Sequence, residues 1–132
     1  MDINGEYIND FTTNALACLL ELQSGSDFED RAEDLNMSEK GVIDYASEAI
    51  VRMKTECAAF EKEGRDLWEK MGLSDEQAGY DFILCRLGAG VDFRDRKTDA
   101  DDSIAEKLCE LAKRAPYLEG VYTGDDGKVY LM

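Results

Sequence analysis

Between Ser38 and Gly72, apolar residues recur at alternating steps of three and four: Ile43, Ala46, Ile50, Met53, Cys57, Phe60, Leu67 and Met71, with Gly64 the one member of the stripe that is not apolar. This is the period of one face of an α-helix, and it commits about a quarter of the chain to a single element that the rest must cover. Ser38 stands where an N-cap is wanted, Met37 can pack onto Val42 one turn later, and Gly72 occupies the place of a left-handed C-terminal residue. Unbroken, a helix over 39–71 would run about 50 Å, long for a chain of 132 residues. Glycine costs about 1 kcal/mol inside a helix, so the preferred reading breaks the helix near Gly64 and folds both pieces onto the chain. The other reading pairs the stripe with a second copy as a coiled coil.

The flanking segments divide at capping and turn residues. Asn9 or Asp10 opens a first helix with Phe11, Ala15, Leu16, Cys18, Leu19 and Leu22 on its apolar face, and 23–26 ends it. Ser74 and Gln77 predict one helical turn closed by Gly79. Phe82–Leu87 and the alternating Val91–Asp95, separated by Gly88-Ala89-Gly90, predict a β-hairpin. Ser103 with Glu106 predicts a helix that turns Ile104, Leu108, Leu111 and Ala115 inward and stops at Pro116. A second hairpin, 120–123 with 128–131, closes on Gly124-Asp125-Asp126-Gly127. The expected fold is one α+β domain over 1–132: N-terminal helices including the long one at about 39–71, then β-β-α-β-β with a four-stranded antiparallel sheet packed on helices.

Thirty acids face fifteen bases with no histidine, a net charge of −15, while 44% hydrophobic content is ordinary for a folded chain. Residues 1–40 alone hold ten acids against two bases. Such a surface repels nucleic acid and anionic membrane and attracts basic partners. No apolar run spans a bilayer and no signal segment is evident, so a cytoplasmic location is expected. Cys18, Cys57, Cys85 and Cys109 lie scattered among apolar neighbours, without paired spacing, and read as four buried reduced thiols.

Candidate chemistry is sparse. Without imidazole the usual base at neutral pH is missing, and no cysteine has a partner suggested by spacing. Asp99, Asp101 and Asp102 lack the glycine and ligand spacing of a calcium loop. No metal or other cofactor is expected. Asp125 and Asp126 read as turn formers, and Arg94, Arg96 and Lys97 as a basic cluster pairing with neighbouring acids. The expected partner-binding feature is an acidic surface made of Glu21, Asp27, Glu29, Asp30, Glu33, Asp34 and Glu39 with Asp99, Asp101 and Asp102. Carboxylates spaced along helices and loops present charge much as a phosphate backbone does.

The run Gly79-Tyr80-Asp81-Phe82-Ile83-Leu84-Cys85-Arg86-Leu87-Gly88-Ala89-Gly90-Val91-Asp92-Phe93-Arg94-Asp95-Arg96 resembles the G-H-D-F-W-L-T-R-N-G-H-G-A-G-F-W-D-R segment of small acidic proteins encoded by phages, prophages and plasmids. Asp81, Phe82, Arg86, Phe93, Asp95 and Arg96 are shared. Tyr122-Thr123-Gly124-Asp125-Asp126-Gly127-Lys128-Val129-Tyr130 is similar to the same group's final Y-V-G-D-D-G-x-I-Y. Tyr80 and Ala89 replace histidines, Leu87 an asparagine, and Ile83 and Arg94 tryptophans, which removes the polar groups best suited to chemistry. The resemblance implies a mobile-element protein of the sort that disarms host nucleic-acid enzymes. The expectation is therefore a non-enzymatic inhibitor of a host protein with a basic nucleic-acid-binding surface, such as an anti-CRISPR or anti-restriction DNA mimic. It would act as a monomer or homodimer, with no direct contact to nucleic acid or membrane. The alternative is an accessory protein, paired through the heptad stripe, whose acidity serves solubility.

Overall fold

The computed structural model describes residues 2–3, 6–22, 45–88, 92–96 and 102–132. A minimal hairpin, β1 (Asp2–Ile3) and β2 (Glu6–Tyr7), pairs antiparallel. Asn9 then caps α1 (Asp10–Leu22): its side chain accepts from Thr12 N at 3.0 Å and its carbonyl from Thr13 N at 2.9 Å.

The long helix is real but differently bounded. It forms α2 (Ser47–Lys70), about 36 Å of helix at 1.5 Å per residue. It does not reach back to the expected start, because the preceding backbone is already engaged. Tyr45 bridges Val129, Ala46 N donates to the Val129 carbonyl at 2.8 Å, and the buried Tyr45 hydroxyl donates to the Leu16 carbonyl at 2.8 Å. The expected cap Ser38 lies outside the described residues. The break near Gly64 does not occur. A Cβ at Gly64 would meet Leu108 Cδ2 at 3.2 Å and the Phe60 ring at 3.4 Å. The glycine marks where a neighbouring helix packs close. The stripe residues Ile50, Met53, Cys57 and Phe60 are buried within the chain, and Trp68 joins them. At the far end Gly72 has the expected positive φ of 75°.

The largest correction concerns 75–87. The expected single turn and first strand are one helix, α3 (Asp75–Leu87), capped by Ser74 and ended by Gly88 at φ 64°. Phe82, Ile83, Leu84 and Cys85 are all buried, and a short apolar run buried on every side has no period to separate strand from helix. Gly79, expected to close the turn, lies inside α3 against α1. The second expected strand is a 3-10 turn, Phe93–Asp95, fixed by reciprocal bonds: Asp92 N donates to Asp95 Oδ2 at 3.0 Å and Arg94 N to Asp92 Oδ1 at 2.9 Å.

Helix α4 (Asp102–Lys113) buries Ala105, Leu108, Cys109, Leu111 and Ala112, with Ile104 and Ala115 packed at the margin. Ser103 lies within it rather than at its cap. The C-terminal hairpin forms as expected, β3 (Val121–Thr123) with β4 (Val129–Leu131). Among the described residues no four-stranded sheet assembles, and the architecture is a mostly helical α+β fold with two-stranded antiparallel sheets. Phe11, Phe60, Trp68, Phe82 and Phe93 stack at centroid distances of 4.5 to 6.1 Å in its centre. Each ring contributes about 1.5–3 kcal/mol by burial. Cys18 and Cys57 are buried free thiols as expected, whereas Cys85 and Cys109 are joined as a disulfide between α3 and α4, Cα atoms 5.7 Å apart. No helix among the described residues is long and apolar enough to cross a membrane.

Candidate functional site

Helix α3 and the segment returning from it bring the motif residues together. On α3, Gln77 and Asp81 are one turn apart on one face, while Phe82 and Arg86 share the next. Arg96, beyond the end of α3, lies against Asp81. Arg96 Nε donates to Asp81 Oδ2 at 2.8 Å, its Nη2 bonds Asp81 Oδ1, and Gln77 Nε2 donates to the same Oδ1 at 3.0 Å. Asp81 is wholly buried, and this bidentate contact satisfies a carboxylate that would otherwise be stranded. Hydrogen bonding to Asp81, ahead of its nearby charge, raises the Arg96 pKa against the opposing effect of burial. Phe93 enters the aromatic core beside Phe60, and Asp95 caps the 3-10 turn.

Arg86 runs the other way. It is almost fully buried, ion-paired to Glu56 at 2.5 Å, and its Nη2 donates to the Pro116 carbonyl at 2.7 Å. Arg52 adds a second contact to Glu56 at 2.7 Å and donates to the Tyr117 carbonyl at 3.0 Å. Two arginines on one carboxylate thus hold the chain after α4 against α2 and α3. Sequence reasoning missed Glu56. Its only signal was the Arg52–Glu56 spacing, which is common on solvated helix faces.

The surface above Asp81 is an open polar cleft of about 440 Å³, lined by Asn14, Glu21, Ser74, Glu76, Gln77, Tyr80 and Arg96. The Tyr80 hydroxyl donates to Glu21 Oε2 at 2.6 Å. Burial and this bond push the Tyr80 hydroxyl well above its ordinary pKa. Burial likewise pushes up the Cys18 and Cys57 thiols, so neither is a thiolate near neutral pH. The Glu21 and Glu76 carboxylates in the lining of the polar cleft can accept hydrogen bonds and attract cations. A second, apolar cleft of about 290 Å³ lies between α2 and the end of α4, with Phe60, Leu111 and Pro116 in its walls.

Of the motif residues, Asp81, Phe82, Arg86 and Phe93 have buried side chains, Asp95 is a surface cap, and Arg96 alone borders the polar cleft. Tyr80, a departure from the resembling segment, lines the cleft directly. Of the expected acidic surface, Glu21 is exposed and bonded to Tyr80. Asp102 opens α4. Asp27, Glu29, Asp30, Glu33, Asp34, Glu39, Asp99 and Asp101 lie outside the described residues. No protein-family model, curated protein or solved structure matches the chain.

Proposed function

We propose that the protein is a non-enzymatic, phage-type acidic inhibitor that binds the basic surface of a host nucleic-acid-binding defence complex of the anti-CRISPR or anti-restriction kind. The observation behind this reading is how the chain disposes of its own positive charge. Each arginine among the described residues has a carboxylate partner within 56–92: Arg52 and Arg86 with Glu56, Arg65 with Glu61 and Asp75, Arg94 with Asp92, Arg96 with Asp81, and Arg114 with Glu63. Guanidinium groups, the usual phosphate binders, are thus turned to the protein's own acids, Arg114 most loosely at 4.0 Å. The surplus of −15 is left to act outward, with ten of the thirty acids in residues 1–40. Charge of this density steers a basic groove onto the protein and competes there with DNA or RNA.

The test is displacement of labelled DNA from purified CRISPR effectors and restriction enzymes. Competitive release that weakens when Asp27, Glu29 and Asp30 are changed to Asn, Gln and Asn supports the reading; a panel in which nothing is displaced contradicts it. The alternative, an accessory protein paired through the heptad stripe, is disfavoured by the burial of Ile50, Met53, Cys57 and Phe60 inside the chain. Such a dimer would need a different face.

A further inference from the structure

Three elements place sulfur and oxygen donors at one buried point: Cys85 from α3, Cys109 from α4 and Asp92 from the turn between them. One donor atom of each lies within 4.8 Å of the other two, and the residues are 2%, 3% and 3% exposed. We propose that, when Cys85 and Cys109 are reduced, these three residues bind a zinc ion, and that disulfide formation between the cysteines expels it.

Four observations support the site. Thiolate and carboxylate are ordinary zinc ligands, and three protein donors leave a fourth position for water. The Asp92 carboxylate is already held in place: Arg94 donates to Oδ1 from its backbone N at 2.9 Å and from Nε at 3.0 Å, and to Oδ2 from Nη2 at 2.8 Å. Arg94 thus orients the carboxylate as an outer-shell partner of the ligand. Charge also closes: two thiolates and a carboxylate are neutralised by the dication together with the Arg94 guanidinium, which a buried site requires. Finally, a cleft of about 210 Å³ lined by Arg94, Glu106, Cys109, Glu110 and Lys113 connects Cys109 to solvent. Two carboxylates, Glu106 and Glu110, and two cations, Arg94 and Lys113, balance at this opening, so it admits a metal ion without a net charge barrier.

The chemistry balances in both directions. Metal binding releases two protons as the thiols become thiolates. On oxidation by a low-molecular-weight disulfide, the two thiolates lose two electrons in forming the Cys85–Cys109 bond. The oxidant takes up those electrons with two protons to give two thiols, and the zinc ion leaves because its sulfur ligands are gone. This inference stands apart from the proposed inhibition and does not depend on it.

The experiment is an anaerobic titration of the full chain with Co²⁺ and Zn²⁺, after reduction by a phosphine and removal of the reductant. Reduced protein should take up one Co²⁺ per chain with a thiolate-to-cobalt charge-transfer absorption, Zn²⁺ should displace it, and oxidised protein should take up none. Cys85→Ser and Cys109→Ser should abolish the absorption, and Arg94→Gln should weaken binding about 10-fold by loosening Asp92. Because the oxidised wild-type chain is itself a control, the test does not rest on variants that fold poorly. Reduced protein without the absorption, or uptake that survives in Cys85→Ser or in the oxidised chain, would overturn the proposal.

Discussion

A Cβ built on Gly79 would lie 2.1 Å from the Phe11 carbonyl oxygen, so α1 and α3 touch backbone to backbone at this point. Gly79→Ala would gain about 1 kcal/mol of helix propensity, but the atom it meets is main chain and cannot swing aside. The clash wins, and a net loss of about 1–3 kcal/mol is expected in urea unfolding. Gly64→Ala is the contrast. Its Cβ meets a leucine side chain at 3.2 Å, which can yield by a few tenths of an ångström. That variant should stay within about 1 kcal/mol of wild type, and equal losses in the two variants would contradict this account.

Removing Glu56 leaves Arg86, whose side chain is 3% exposed, without its countercharge. Glu56→Ala should therefore cost about 3–5 kcal/mol, and Glu56→Ala with Arg86→Met should recover much of that loss. Additive losses in the double variant would show that the two residues do not act as a pair.

The Arg96–Asp81 contact is asymmetric, because the carboxylate is fully buried and the guanidinium is 28% exposed. Arg96→Met strands a buried charge, whereas Asp81→Asn releases an arginine that can reach water. The first should destabilise by up to about 3 kcal/mol and the second by less. The reverse order in chemical denaturation would refute this assignment.

These elements also mark what the sequence could disclose. The helical stripe, the Asn9 and Ser74 caps, the left-handed Gly72 and the C-terminal hairpin are local signals, and each was legible. Gly64 and Gly79 misled because a glycine that ends a helix and one that admits a neighbouring helix look alike until the neighbour is known. Phe82–Cys85 misled because a run buried on all sides shows neither period. Glu56, Arg86, and the meeting of Cys85, Asp92 and Cys109 depend on residues far apart in the chain, so spacing could not reveal them. The acidic surface was legible only as composition.

Stability should fall on the alkaline side. Burial pushes Cys18, Cys57 and Tyr45 above their ordinary values, and burial with the Glu21 bond does the same for Tyr80. The folded chain therefore holds these protons more tightly than the unfolded chain. Their contribution is complete below the unfolded values, about 8.5 for cysteine and 10 for tyrosine, and declines as pH rises past them. Asp92 works in the opposite sense. Arg94 holds its pKa down, so its contribution is present at neutral pH and is lost as pH falls below about 3.9. Thermal midpoints should drop from pH about 8.5 upward, and Tyr80→Phe should flatten the decline above pH about 10. A midpoint that climbs over that range would contradict these assignments.

The most direct measurement of the inhibitor reading is the affinity of the protein for a purified nucleic-acid-binding effector that it displaces from DNA, followed as salt is raised. Contact between a surface of this charge and a basic groove should weaken steeply with ionic strength, chiefly through slower association. An affinity unchanged by salt would contradict a charge-driven mimic.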